Sequence, residues 1–71
     1  METFIDRMVE EEEQLKERIA KAREFTLTNN FEELSYTEKY LLKEQIKYML
    51  GYYNCLQARI DYYKQNKKEL E

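Results

Sequence analysis

Leu41, Gln45, Tyr48, Tyr52, Cys55, Arg59 and Tyr62 recur at steps of three and four residues, and on a helix such steps share one face. Aromatic faces stack on bases, an arginine pairs with phosphate, and a side-chain amide reads polar edges. Gln45, Tyr48, Tyr52, Arg59 and Tyr62 therefore have the chemistry of a nucleotide-binding surface. All seven tyrosines lie between Tyr36 and Tyr63; a face turned only to water would carry Lys and Glu in their place. The same stripe also suits packing against another chain, because tyrosine is amphipathic and common at interfaces. The two readings are compatible, since a symmetric interface can enclose a cleft. In the first half of the chain, Arg7, Arg18, Lys21 and Arg23 supply cations. Most read as surface charges in i,i+4 register with glutamates, as Glu17 is with Lys21; Arg7 and Arg18 are the candidates to face an anionic ligand.

Other reactive groups carry less. Glu10 to Glu13 is a run of four carboxylates, most simply a solvated helix face. Glu12 falls at an apolar seam position, where a carboxylate is costly unless paired, and Lys64, Lys67 or Lys68 is expected to reach it from an antiparallel helix. Cys55 has no histidine to activate it, the chain having none, and reads as a small buried side chain rather than a nucleophile. Ser-His-Asp sets, Gly-rich phosphate loops and Cys/His clusters are all missing from the sequence. A binding protein without an enzymatic activity, a metal or a cofactor is expected.

The elements that must position these groups are two helices. The chain has no proline and one glycine, Gly51, and long-chain residues that favour helix dominate. Ile5, Met8, Leu15, Ile19, Ala22 and Thr26 follow alternating three- and four-residue steps, which predicts a helix over about 3–27. Thr3 is a candidate N-cap, with Asp6 favourably placed near the positive helix end. Thr26-Leu27-Thr28-Asn29-Asn30 favours a turn. Residues 31–34 are expected to form a short helical turn that drops Phe31 and Leu34 over the hairpin end. Ser35-Tyr36-Thr37-Glu38 is an S-x-x-E capping box. It opens a second helix over about 36–66, with the seam Leu42, Ile46, Met49, Tyr53, Leu56, Ile60 and Tyr63 and a frayed tail at 67–71. A connection of about eight residues forces the second helix back antiparallel to the first.

The expected fold is thus an all-α, antiparallel two-helix hairpin forming a single domain over 1–71. Seventy-one residues give a marginal core, and one cysteine with no histidine excludes an intrachain disulfide and a zinc site. Carboxylates alone would suit only a weak hard-cation site. Stabilisation is left to association, so a homo-oligomeric helical bundle is expected. A net charge of −3 argues against duplex nucleic acid as a partner, the apolar runs are too short to span a bilayer, and the N-terminus lacks the pattern of a signal peptide. A cytoplasmic protein with a reduced thiol is expected.

Several segments occur in an order that resembles a known group: Arg7-Met8-Val9-Glu10-Glu11, Leu15-x-x-Arg18-Ile19-x-Lys21, and Phe31-Glu32-Glu33-Leu34-Ser35-x-x-Glu38. They are followed by Leu41-Leu42-x-x-Gln45-x-x-x-Met49-x-x-Tyr52-x-x-x-Leu56-x-x-Arg59-Ile60. Over residues 4–63 this is similar to the small helical-hairpin proteins of tailed and crAss-like bacteriophages, with departures at Glu12 and Ala22. In build it resembles phage anti-defence sponges, homo-oligomers that sequester nucleotide immune signals such as cyclic oligonucleotides or cyclic ADP-ribose isomers. The resemblance implies a phage protein in the cytoplasm of the infected bacterial host. It would hold such a nucleotide between subunits through Arg7, Arg18, Gln45, Tyr48, Tyr52, Arg59 and Tyr62. The alternative is an adaptor whose tyrosine stripe docks and inhibits a host protein.

Overall fold

A computed structural model describes residues 3–65, which form α1 (Phe4–Phe25), α2 (Asn29–Glu32) and α3 (Tyr36–Gln65). Asn66 and the 67–71 tail, with Lys67 and Lys68, lie outside the described residues.

Local hydroxyl chemistry sets the ends of the helices. The Thr3 side chain accepts from the Asp6 N–H while the Asp6 carboxylate accepts from the Thr3 N–H, a reciprocal capping box at the start of α1. α1 stops at Phe25, two residues short of the expected end. There the Thr26 hydroxyl donates to the Arg23 carbonyl and the Thr28 hydroxyl to the Phe25 carbonyl, which satisfies acceptors that a further helical turn would otherwise have used. Thr28 then caps the next element, its Oγ1 accepting from the Phe31 N–H. This second role moves the short helix to Asn29–Glu32, two residues ahead of the expected 31–34. Phe31 is buried beneath it, edge-on to Phe25 with ring centroids 6.2 Å apart. The ammonium groups of Lys39 and Lys43 each lie 5.7 Å from the Phe31 ring. Leu34 is half-buried. Ser35 opens α3 by accepting from the Glu38 N–H at 3.1 Å.

α1 and α3 pack together along the seams read from the sequence. Met8, Leu15 and Ile19 are buried on α1, and Ile46, Leu56 and Ile60 on α3. Ile5, Glu12, Ala22, Thr26, Leu42, Met49, Tyr53 and Tyr63 are half-buried. Met8 joins Leu56 and Ile60 in one cluster against which Val9 and Tyr63 pack. The helices run antiparallel, with Phe4 against Tyr63 and Glu11 against Tyr52.

That register corrects the expected partner of Glu12. Lys64 lies level with Thr3, Ile5 and Asp6, about 10 Å along the axis from Glu12 at 1.5 Å per residue, beyond the reach of a lysine. Glu12 tolerates its seam position because it is only half-buried and keeps access to water. Cys55, expected to be buried, is exposed, because the stripe that carries it points away from α1.

The protomer is thin, with Cα extents of 53 × 20 × 13 Å. It exposes 5950 Å², where a compact monomer of its mass would expose about 4,800 Å². Among the described residues, nothing covers the broad sides of the two-helix layer.

Candidate functional site

The side of the hairpin that carries the candidate site is built from one row on each long helix. At 100° per residue, Arg7, Glu11, Gln14 and Arg18 fall within about 60° of one another on α1. On α3 the row Gln45, Tyr48, Tyr52, Cys55, Arg59 and Tyr62 spans about 100° and is centred roughly 90° from the seam. In an antiparallel pair the corresponding flanks of the two helices lie side by side. The Tyr52 hydroxyl donating to the Glu11 carboxylate ties these two rows together. All seven candidate residues, Arg7, Arg18, Gln45, Tyr48, Tyr52, Arg59 and Tyr62, therefore lie on one side of the molecule, and each is exposed.

The geometry gives these side chains defined settings. The Glu11 hydrogen bond, seconded by burial and the Glu11 charge, raises the Tyr52 phenol above its ordinary pKa, while Arg59, about two turns along α3, pulls the other way. That hydrogen bond carries the Tyr52 side chain from α3 across to α1. Tyr48 is 67% exposed, with the Lys47 ammonium 5.5 Å from its ring. Tyr62 meets Tyr63 edge-on at 5.5 Å. Leu41, at the far end of the row, is 58% exposed.

Charge on this side differs from the average. The chain carries −3 overall, whereas on this side Arg7, Arg18 and Arg59 stand with two carboxylates, Glu11 and Glu44, the latter at the azimuth of Tyr62 about five turns away and paired with Lys47 at 3.9 Å. Of the acidic run, Glu12 and Glu13 project from other faces of α1, while Glu10 borders the row. A surface of three guanidiniums, three phenols and two carboxamides offers anion pairing, base stacking and edge recognition together. Among the described residues, no group of three His, Cys, Asp or Glu stands close enough to hold a metal ion.

The row is a surface and not a cavity. A groove of about 280 Å³ lies on the opposite flank, lined by Lys16, Ile19, Ala20, Arg23, Leu50 and Tyr53, and two others lie at the ends of the hairpin. These grooves are open to solvent, and the first places Lys16 and Arg23 seven residues apart over an apolar floor. The sequence reading did not single out that groove, although the seven-residue spacing of its two cations was visible. Glu11 was also missed; its position four residues after Arg7 was the available signal.

The Sequestin family model matches residues 2–62, most of the chain, and the chain belongs to that family. The family's name fits the expectation of a sequestering protein. Neither a curated protein nor a solved structure matches the chain.

Proposed function

We propose that this Sequestin-family chain is a homo-oligomeric binding protein. It sequesters a nucleotide immune signal, of the cyclic oligonucleotide or cyclic ADP-ribose type, in clefts between subunits without turning it over. The observation that carries this reading is the exposed side on which Arg7, Arg18 and Arg59 lie with Gln45, Tyr48, Tyr52 and Tyr62, against two carboxylates, Glu11 and Glu44. Its local positive balance meets the requirement an anionic ligand makes and the net charge of the chain does not. Because the row is flat on the single chain, a second subunit is what turns it into a cleft. Arg59 with Arg7 or Arg18 would pair phosphates, Tyr48 and Tyr52 would stack on bases, and Gln45 would read a polar edge. The phage resemblance extends the reading to an anti-defence role in the cytoplasm of an infected bacterium; no helix among the described residues is long and apolar enough to cross a membrane.

Isothermal calorimetry of the purified oligomer against cyclic dinucleotides, cyclic trinucleotides and cyclic ADP-ribose isomers tests the proposal. Micromolar or tighter binding, with recovery of unaltered ligand after denaturation, is expected. An intact oligomer that binds none of the panel at micromolar concentration sinks it.

A second reading is favoured by the exposed Leu41, Tyr48, Tyr52 and Tyr62, which suit protein docking: an adaptor that inhibits a host protein. Recovery of one stoichiometric host protein from lysate, lost on Tyr52→Ala, would decide for it.

A further inference from the structure

We infer that the groove on the flank opposite the tyrosine row, floored by Ile19, Ala20, Leu50 and Tyr53, docks an acidic amphipathic helix of a partner protein. This goes beyond the proposed function and stands apart from it, since the groove shares no residue with the tyrosine row.

On α1, Lys16, Ala20 and Arg23 fall within about 60° of one another and roughly 180° from Arg7 and Arg18. Lys16 and Arg23 thus rim the groove from one wall, about two turns apart, while Leu50 and Tyr53 of α3 form the other. Ile19 is buried at the bottom, and Leu50 and Tyr53 are half-buried, which leaves an apolar trough beside two cations. Its lining holds no carboxylate. Among the described residues, Lys21, Lys39 and Lys47 are ion-paired with glutamates, whereas Lys16 and Arg23 have no ion-pair partner.

Size and chemistry select the occupant. Pockets that enclose a small molecule run from about 300 to 1,000 Å³. This groove measures about 280 Å³ and is open to solvent, so it suits something elongated that extends beyond it along the hairpin. A single nucleic-acid strand would need rings on which to stack its bases. The one ring in the lining, Tyr53, is half-buried, and its phenol oxygen accepts from Gln57 Nε2 at 3.1 Å. A helix fits instead. Its residues i, i+3, i+4 and i+7 share a face about 100° wide, and i to i+7 rises about 10 Å, the same as Lys16 to Arg23. Carboxylates at i and i+7 would meet the two cations while apolar side chains at i+3 and i+4 cover the floor. Ala20 is small enough to let helix axes approach to about 8–10 Å there.

A second copy of the chain fits less well. Its carboxylates seven residues apart are Asp6 with Glu13, Glu10 with Glu17, and Glu17 with Glu24. At i+4 these pairs carry Glu10, Gln14 and Lys21, polar groups that the apolar floor would desolvate without a partner. The occupant is therefore a different chain.

The experiment titrates the whole protein into a labelled helical peptide of about 20 residues. The peptide opens each heptad with Glu, carries Leu at the fourth and fifth places, and has Ala and Gln elsewhere; a control peptide has Lys in place of Glu. Fluorescence anisotropy should show saturable binding of the Glu peptide and at least about tenfold weaker binding of the Lys peptide. Lys16→Glu combined with Arg23→Glu, both at exposed positions, should reverse that preference while far-ultraviolet circular dichroism stays unchanged. Amide shifts in the isotope-labelled protein should centre on Ala20 and Leu50. Absence of saturable binding at millimolar concentration, an unreversed preference, or shifts centred on Tyr48 and Tyr52 overturns the inference. Self-association of the wild type that the double variant loses also overturns it, by making a second copy the occupant.

The groove and the nucleotide reading fail separately. A wild type that binds the Glu peptide but no nucleotide leaves the groove standing and the proposed function refuted. Nucleotide binding that the double variant loses gives the groove to the nucleotide and overturns the docking.

Discussion

The proposed assembly gives adjacent faces of α3 separate energetic roles, and Leu56→Ala compared with Tyr48→Ala tests the separation. Leu56 is 1% exposed, the most buried side chain among the described residues, and packs with Met8 and Ile60 at the hairpin seam. Removing a buried leucine to alanine costs about 2–5 kcal/mol through lost transfer energy and the cavity left behind. A chain of this length has roughly 4–10 kcal/mol in total. Each kcal/mol moves the melting temperature of so small a domain by about 4–8 °C, so Leu56→Ala should lower it by at least about 8 °C or abolish the folded state. Tyr48 is 67% exposed, and its truncation should change the stability of the hairpin itself by no more than about 0.5 kcal/mol. Thermal unfolding followed by far-ultraviolet circular dichroism, over a dilution series of each variant, gives both numbers. Leu56→Ala should lose stability at every concentration; Tyr48→Ala should lose only the part that depends on concentration. Equal, concentration-independent losses in the two variants would refute the division of α3 into a core face and a contact face.

Three further outcomes are expected. Gly51→Ala should raise stability by about 0.5–1 kcal/mol in urea unfolding, because alanine is the better helix former and a Cβ at Gly51 would meet nothing within 4 Å; a loss instead would mean that another surface approaches the backbone there. Thr28→Ala should cost about 1 kcal/mol in the same assay, since one hydroxyl both caps α2 and closes the end of α1, and a neutral result would remove that double role. In an alkaline titration followed by tyrosine absorbance, Tyr52 should ionise above the ordinary phenol range, because Glu11 holds its proton. Tyr52→Phe should delete that late step and Glu11→Ala should shift it down. The sign is that of a group with a raised folded pKa: its contribution is whole below about pH 10 and is lost as pH rises through the folded value.

Much of this was legible in the residues, and the parts that were not share a cause. The seams, the Thr3 and Ser35 caps and the tyrosine row follow from side-chain period and hydroxyl placement, which act over three or four residues. The pairing of Glu12 with Lys64 failed because period assigns a residue to a face but not to a height along the partner helix. That height depends on the path of the connection, where Thr28 starts α2 early. Cys55 was misplaced because its type suggested burial while its position in the row, a quarter-turn from the seam, settled its exposure. Glu11 was hidden in a run of like residues; its spacing from Arg7 was a hint, and the register with Tyr52 is what singles it out from Glu10 and Glu13.

The quarter-turn between the seam and the tyrosine row also limits how the length of this chain can change. Inserting one residue into α3 turns everything beyond it by 100°, which carries Tyr52 and Arg59 into the seam and takes Leu56 and Ile60 out of it. Deleting one turns Leu56 and Ile60 the other way, onto the side the tyrosine row occupied. Seven residues return both faces to within about 20° of their places. Variants of α3 that differ in length should therefore fold and bind only when they differ by whole heptads. The loop at Leu27, exposed and outside the helices, is free of that arithmetic.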